Sequence, residues 1–304
     1  ATTAATMFQA FRTSTSNIRV DTARIYAGGQ TEPIVREALH RAKLQDMASI
    51  GSKAHPSQPG GLSPQGITSQ FAASCNALGV DRLAEFFLHQ PDTENNLLAS
   101  LVAVDALVRD GKVGEIGMSN YHASEVARAM ALCDAHKLAK PTVYQGLYNP
   151  LNRKVEEELL PVLRQHGCAF IAYNPLAAGL LTGRHTSVDN VAKGRFKDNP
   201  NYMPRFYNQE NFAALAHIRT ACEASGVTMV EATYRWLLSH SALDPAEGDG
   251  LLIGASSPEQ LDANLAACAA AHAEPPLPER LVEALDGAWA SSAALRACAV
   301  SRWR

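Results

Sequence analysis

The sequence predicts an α/β protein of the (β/α)8 (TIM) barrel class. Three observations lead to this prediction: short apolar runs alternate with longer amphipathic stretches, the chain has 304 residues, and no G-x-G-x-x-G turn follows any of the runs. A doubly wound sheet usually carries such a phosphate-binding turn after its first strand. The alternation without the turn therefore favours the barrel over the doubly wound sheet.

Seven short apolar runs, separated by amphipathic stretches, are predicted as β-strands. In chain order the predicted strands are Ile18–Asp21, Ala48–Ser52, Glu85–His89, Val113–Met118, Thr142–Gln145, Ala169–Tyr173 and Leu251–Ile253. A barrel of this class has eight strands, so the sequence falls one strand short. Residues 1–17 make an atypical start, in which Thr2–Phe11 is predicted as a helix.

Capping residues mark where several helices begin and end. A Ser-Pro pair and two segments of the S/T-x-x-E/Q form predict helix starts, and glycines predict helix ends. The predicted starts are at Ser63, Thr228 and Ser257, and the glycines that end the helices predicted over 95–109 and 155–166 are Gly111 and Gly167. No repeat, low-complexity tract or linker divides the chain. We therefore expect one domain over residues 1–304, with a long loop at 177–209 and a C-terminal tail at 291–304.

Composition and charge exclude several classes of protein. The 27 Lys and Arg residues against 30 Asp and Glu residues give a formal net charge of −3, with no basic stripe for a nucleic acid. The six cysteines are scattered, without the spacing of a zinc site. No leader pattern and no apolar run of about 18 residues is present. We therefore expect a cytoplasmic protein that holds no metal and binds neither nucleic acid nor a membrane.

Four polar residues stand at or just beyond the ends of the first three predicted strands. They are Asp21 and Tyr26 after the first strand, Lys53 after the second and His89 after the third. Taken singly, each has a structural interpretation: a solvated lysine, a buried structural histidine or an aspartate that caps a turn. Because catalytic side chains of a barrel come from the carboxyl ends of its strands, the four together predict a proton-donating site without a metal.

The segments that carry these residues resemble the catalytic tetrad of the aldo-keto reductases. Similar segments continue along the chain, and the resemblance covers residues 18–290. Beside Asp21–Tyr26, Gly51–Lys53 and Phe86–His89, they are Lys112–Asn120, Tyr144–Gln145, Ala172–Leu176, Ile253–Gln260 and Asn264. Within the family, Tyr144–Asn149, Gly194–Phe196, Arg205–Phe206 and Gly254–Leu261 are most similar to the aflatoxin aldehyde reductase branch, whose members reduce aldehydes such as succinic semialdehyde.

The resemblance implies an enzyme that reduces aldehydes to alcohols with NADPH. A carbonyl then needs a proton on oxygen, and a free tyrosine, with a pKa of about 10, is a poor acid near neutrality. An ammonium at Lys53 would favour the phenolate of Tyr26, Asp21 would hold that lysine, and His89 would orient the carbonyl oxygen. Tyr26 is then the general acid, and a reduced nicotinamide supplies the hydride.

The cofactor residues implied by the resemblance fall into four groups. Ser119, Asn120 and Gln145 would bind the carboxamide, and the ring of Tyr173 would stack on the nicotinamide. The loop over the pyrophosphate would contain Leu176, Gly179, Leu180 and Thr182. Ser256, Ser257 and Gln260 stand at a helix start that would bind the adenosine phosphate, and Gln260 and Asn264 would contact the adenine. No Lys or Arg lies between Ile253 and Asn264, where relatives often pair a 2′-phosphate with a positive charge. NADPH is therefore favoured by resemblance alone, and NADH stays open.

The implied substrate is a small-molecule aldehyde. Its expected contacts are Tyr26, His89, Asn120, Tyr202 and Arg205, with Arg205 pairing bidentately with a substrate carboxylate. An exposed loop arginine is the alternative interpretation of Arg205.

Two other functions remain open at this point. One is a cofactor-binding regulatory subunit like the channel-associated β subunits that share this fold, and the other is an inactive truncated relative. Relatives begin with an N-terminal hairpin and a first barrel strand, and neither is found in this sequence. An open barrel would leave strand edges unpaired, so we expect a homodimer or a rearranged terminus to cover them.

Overall fold

The computed structural model describes residues 1–191, 196–197 and 203–291, with only the backbone of residues 204, 205 and 291. Within these ranges seven strands alternate with helices. The strands are β1 Ile18–Asp21, β2 Ala48–Ala54, β3 Leu83–Leu88, β4 Val113–Ser119, β5 Pro141–Leu147, β6 Ala169–Tyr173 and β7 Gly250–Leu251. Each of the seven overlaps a predicted strand.

The seven strands belong to one sheet, in the order in which they follow one another along the chain. The four pairs from β1 to β5 are parallel. Parallel neighbours in consecutive order need a crossover between every two strands, and helices supply these crossovers. The fold class predicted from the sequence, the α/β barrel class, is confirmed.

The helices have the bounds α1 Thr2–Ser14, α2 Thr31–Ala42, α3 Pro64–Leu78, α4 Leu97–Arg109, α5 Ala123–His136, α6 Leu159–Gln165, α7 Met203–Phe206, α8 Gln209–Ser225, α9 Met229–Ser239, α10 Pro258–Ala273 and α11 Glu279–Ser291. Short 3₁₀ turns occupy Tyr26–Gly29, Lys154–Glu156, Ala177–Thr182 and Pro245–Glu247. The predicted N-terminal helix is present as α1 and ends three residues later than predicted. No helix in the described ranges is both long and apolar enough to cross a bilayer.

The predicted caps begin their helices, with one partial exception. The Ser63 hydroxyl accepts from the backbone N–H of Gly66 at 3.1 Å, and α3 starts at the next residue. The Thr228 hydroxyl accepts from the N–H of Glu231 at 3.2 Å. The Glu231 carboxylate, however, pairs with Arg235 at 2.8 Å, so only the Thr228 half of that capping box forms.

Several predicted boundaries differ by a few residues from the structure, and two of the differences have a clear physical reason. The helix predicted over 155–166 is split into a 3₁₀ turn and α6, because Pro161 has no N–H to donate to the carbonyl four residues earlier and its ring crowds that carbonyl. The third strand ends at Leu88, so His89 lies one residue beyond β3. Its N–H nevertheless continues the ladder by donating to the carbonyl of Ala54 at 2.9 Å.

The chain divides into two compact units. The first comprises residues 1–146, 159–171 and 256–258, and the second comprises residues 147–158, 172–255 and those from 259 onward. Phe86 and Phe87 are fully buried in the first unit, and Tyr148 and Trp236 are fully buried in the second. The single domain over residues 1–304 stays a prediction, and all of the predicted tail except Ser291 lies outside the described residues.

Candidate active site

An ion pair joins the carboxyl end of β1 to the carboxyl end of β2 in the first unit. The register places Asp21 opposite Gly51, and Lys53, two residues further, points to the same face of the sheet. The Lys53 ammonium donates to both carboxylate oxygens of Asp21 at 2.6 Å and to the carbonyl of Thr22 at 2.9 Å. An ammonium has three N–H donors, so its charged form is fully hydrogen-bonded here.

Burial and charge act in opposite directions on this lysine. Only 1% of Lys53 is exposed. Burial lowers the pKa of Lys53 below its usual value, and the attraction and hydrogen bonds of Asp21 oppose that change. Gln145, at the end of β5, donates from its side-chain nitrogen to Asp21 at 2.7 Å and so helps to fix the carboxylate.

Tyr26 begins the 3₁₀ turn that follows β1 and faces the same lysine. Its backbone N–H donates to Ala23 at 3.0 Å, and the Lys53 nitrogen lies 5.2 Å from the centroid of its ring. Tyr26 is 37% exposed, whereas Lys53 is buried. The phenol therefore lies between a buried ammonium and solvent, where a substrate can reach it.

His89 completes the group by packing edge-on against Tyr26, with 5.7 Å between the ring centroids. Burial, followed by the charge of Lys53 and by His55, lowers the pKa of His89 to about 3. The ring is therefore neutral near pH 7. Its Nδ1 is buried without a hydrogen-bond partner. A buried N–H without a partner costs more than a buried lone pair of an uncharged ring, so we assign the proton to Nε2.

Two further polar side chains lie beside His89 at the end of β4. The Asn120 amide donates to the carbonyl of His89 at 2.9 Å and to the hydroxyl of Ser119 at 3.0 Å. Asn120 has a φ of 63°, in the left-handed region that asparagine tolerates. The Tyr144 hydroxyl accepts from the N–H of Tyr121 at 2.9 Å and donates to its carbonyl at 2.7 Å, which holds this turn in place.

Comparison with known proteins gives this arrangement a family. The sequence model of the aldo/keto reductase family matches residues 2–287. The chain is 40% identical to aflatoxin B1 aldehyde reductase member 2 of Rattus norvegicus over 281 residues, which are 89% of this chain and 76% of that protein. It is 39% identical to aldo-keto reductase family 7 member A3 of Homo sapiens, with 89% of this chain and 84% of that protein covered.

The chain belongs to the aldo/keto reductase family. It is therefore an oxidoreductase enzyme, and its fold is the one on which this family is built. The four residues predicted as the family's tetrad, Asp21, Tyr26, Lys53 and His89, lie together in the first unit, as do Ser119, Asn120 and Gln145 around them.

The other predicted site residues of this aldo/keto reductase are divided between the two units. Ser256 and Ser257 lie in the first unit, and the residues of the second unit are Tyr173, Leu176, Gly179, Leu180, Thr182, Gln260 and Asn264. Leu180 is fully buried, and the Asn264 amide donates to the carbonyl of Gly254 at 3.2 Å. Tyr202 lies outside the described residues. Arg205 belongs to α7, where only its backbone is described.

Sequence analysis missed a second ion pair in this aldo/keto reductase, on the other side of the Tyr26 turn. Arg24 donates to the carboxylate of Glu32 and, at 2.8 Å, to the carbonyl of Gly29. Glu32 is completely buried and also accepts from the hydroxyl of Ser52 at 2.8 Å. A signal existed: Glu32 shares the three- and four-residue spacing of Val35 and the other buried residues of α2.

Arg24 and Glu32 hold the turn that presents Tyr26. The turn contains Gly29 at a φ of 88°, and a Cβ there would come within 2.5 Å of the Arg24 guanidinium. The carbonyl of Gly29 is thus fixed by a side chain that is itself fixed to α2. Because Tyr26 begins this turn, the pair acts on the phenol through the backbone.

Proposed function

We propose that this aldo/keto reductase reduces aldehydes to alcohols with a reduced nicotinamide cofactor, and that Tyr26 is the general acid. The observation that carries the proposal is the Lys53 ammonium, bound by both oxygens of Asp21 and lying 5.2 Å from the Tyr26 ring. The relatives named as aflatoxin B1 aldehyde reductases support an aldehyde as the substrate.

Each member of the tetrad has a distinct part in moving one proton. The Tyr26 hydroxyl donates its proton to the carbonyl oxygen, and the phenolate left behind is stabilised by the positive charge of Lys53. Asp21 keeps Lys53 charged and in place. His89 stays neutral and, with its proton on Nε2, donates a hydrogen bond to the same carbonyl oxygen. A positioned proton donor of this kind contributes roughly 10²- to 10⁴-fold to a rate.

The residues at the ends of β4 and β5 fit a nicotinamide carboxamide. Ser119 and Gln145 are opposite one another in the sheet register, and Asn120 follows Ser119. A hydroxyl and two side-chain amides offer the donors and acceptors that a carboxamide needs. The cofactor supplies a hydride to the carbonyl carbon. The family generally uses NADPH or NADH, and we propose NADPH.

The further cofactor contacts and the substrate class are proposals from the family resemblance. We propose that acidic aldehydes such as succinic semialdehyde are substrates, with the carboxylate bound by Arg205 in a two-pronged ion pair. The cofactor contacts that we propose in the second unit are those predicted from the sequence: Tyr173, Leu176, Gly179, Leu180, Thr182, Gln260 and Asn264. A cytoplasmic homodimer is likewise proposed, and gel filtration of the purified protein tests its oligomeric state.

Turnover measurements with both cofactors test the proposed function. NADPH and NADH are each combined with succinic semialdehyde and with an uncharged nitrobenzaldehyde, for the wild type and for Arg205→Ala. We expect turnover with NADPH, and we expect Arg205→Ala to raise KM for the acidic aldehyde much more than for the neutral one. Equal effects on both KM values would contradict the role of Arg205. Binding of NADPH without turnover of any aldehyde would instead favour a regulatory subunit.

A further inference from the structure

The His89 ring is held in place without a hydrogen bond from its buried nitrogen. Its backbone is fixed at both ends, because its N–H donates to Ala54 and its carbonyl accepts from Asn120. The ring is not fixed in this way, since Nδ1 has no partner. Catalytic histidines are commonly oriented by a carboxylate or carbonyl at the second ring nitrogen. In this protein, the orientation of the His89 ring must therefore be set by the side chains packed against it.

His55, one residue after β2, supplies the packing. Its ring lies edge-on to His89, with 5.1 Å between centroids and an interplanar angle of 89°. The Tyr26 ring makes the other edge contact, at 5.7 Å. Tyr26 is partly exposed and has to meet the substrate. The half-buried His55 is therefore the ring contact that can hold the His89 ring in one orientation.

The backbone of His55 is itself fixed by a buried glutamine. Its N–H donates to the Gln70 side-chain oxygen at 2.8 Å, and its carbonyl accepts from the Gln70 side-chain nitrogen at 3.3 Å. Gln70 is 4% exposed, and its nitrogen also donates to the carbonyl of Gly61 at 2.9 Å. The first turn after β2 is thereby tied to α3 at both polar atoms of His55.

The ring of His55 is fixed as well, and in a neutral form. The backbone N–H of Ser57 donates to its Nδ1 at 3.0 Å, so Nδ1 is an acceptor and the ring proton is on Nε2. Gln90, the neighbour of His89, makes a side-chain hydrogen bond with this ring. Burial lowers the pKa of His55 further from neutrality. An uncharged His55 can rest against His89 beside the Lys53 ammonium without adding a second positive charge.

We propose that His55 is a positioning residue, whose ring holds the catalytic imidazole of His89 so that its Nε2–H points toward the substrate oxygen. This inference rests on the proposed function, in which His89 donates to the carbonyl. His55 shields His89 from water and touches neither reacting atom. The charged and titratable groups that face His89 are Lys53, with Asp21 paired to it, Tyr26 and His55.

The test compares two variants. His55→Ala removes the ring that packs against His89, and His55→Phe keeps a ring of similar size without hydrogen-bonding nitrogens. Nitrogen-15 NMR of the histidines in the cofactor-free protein reports the tautomer and protonation of His89 between about pH 5 and pH 8. We expect wild-type His89 to stay a single Nε2–H tautomer throughout. In His55→Ala we expect mixed tautomers at neutral pH and protonation of His89 within this range, because water reaches the ring.

The kinetic expectation follows from the same geometry. In His55→Ala, kcat should fall by roughly tenfold to a hundredfold with little change in KM, because the hydrogen bond to the carbonyl is misaligned. His55→Phe should restore most of kcat and the single tautomer. His136→Ala, which changes an exposed histidine at the end of α5, is the matched control and should leave kcat, KM and His89 unchanged.

Two results would overturn the inference. One is a His55→Ala protein in which His89 keeps its tautomer, its protonation and its kcat. The other is a His55→Phe protein that behaves like His55→Ala, since ring packing would then not be the cause. The NMR arm needs no turnover, so a wild type that reduces no aldehyde would contradict the proposed function while the position of His89 is still measured.

Discussion

Two buried ion pairs flank the turn that carries Tyr26, and they differ in what lies beside them. The pair of Asp21 and Lys53 adjoins a phenol that is 37% exposed and a His89 nitrogen without a partner. In the pair of Arg24 and Glu32, one carboxylate oxygen accepts from Arg24 and the other from Ser52.

The two ion pairs begin at Asp21 and Arg24, three positions apart in the chain, yet they have different surroundings and we expect them to have different roles. Around Lys53, the neighbouring Tyr26 is partly exposed, and access from solvent is what a substrate carbonyl requires. Around Glu32, by contrast, the charged side chains bind the backbone of Gly29 and the hydroxyl of Ser52. The Ser52 hydroxyl in turn lies 3.3 Å from that of Ser74. Buried charge alone therefore does not distinguish a candidate active site, and the exposed phenol beside Lys53 is the feature that the second pair lacks.

The largest effect that separates the two pairs is expected for Lys53→Met, which keeps the length of the side chain and removes its charge. Steady-state reduction of an aldehyde should be slowed by about 10²- to 10⁴-fold, because nothing then stabilises the Tyr26 phenolate. Lys112→Met, at an exposed lysine paired with Asp110, is the control and should retain full activity. Retention of most activity in Lys53→Met would remove Lys53 from the mechanism.

The Arg24–Glu32 pair predicts a loss of stability. Glu32→Ala leaves Arg24 without its partner and should lower the free energy of unfolding by about 3–5 kcal/mol. Glu37→Ala is a control on the same helix, since Glu37 forms an exposed pair with Arg41 and should cost less than about 1 kcal/mol. Urea unfolding of both variants measures the difference. Equal unfolding midpoints would show that the buried pair does not hold the turn.

A smaller effect is expected from pH, and it comes from His89. Its pKa is lowered from 6.5 to about 3 in the folded protein, so the unfolded chain takes up this proton first as the pH falls. The stability that neutral His89 contributes is complete above about pH 6.5 and is lost progressively toward pH 3. Between pH 6.5 and pH 5 the wild type should therefore lose about 2 kcal/mol more than His89→Gln does. Urea unfolding at both pH values checks this, and identical losses would contradict the lowered pKa.

The sequence was sufficient to predict the strands and to group the four residues that lie together in the first unit, for a physical reason. Parallel strands bring their carboxyl ends to one edge, so residues at strand ends such as Asp21 and Lys53 converge however far apart they lie in the chain. The split before α6 was not predicted, because Gly167 indicates only where the helix ends, whereas Pro161 in the first turn of α6 interrupts the hydrogen bonds before it. His89 was predicted inside β3 because it directly follows an apolar run, and in the structure its N–H continues the ladder one residue beyond the strand.

The supporting residues were harder to predict because their roles depend on orientation. The helical spacing indicates that Glu32 is buried, but it does not indicate which charge Glu32 meets, and the ion pair with Arg24 is visible only in the structure. His55 is a lone histidine in a loop, and nothing in its neighbours along the chain shows that Gln70 fixes it or that its ring meets His89. These contacts join separate segments of the chain, and no short sequence motif indicates that those segments pack together.

The account depends most on the Tyr26 hydroxyl as the proton donor, and a single-turnover measurement on Tyr26→Phe tests this directly. NADPH oxidation by a nitrobenzaldehyde is followed near neutral pH, with binding of NADPH measured separately by fluorescence quenching. We expect the single-turnover rate to fall by at least about 10²-fold while the affinity for NADPH is unchanged. A variant that binds NADPH normally and retains most of the wild-type rate would contradict the account.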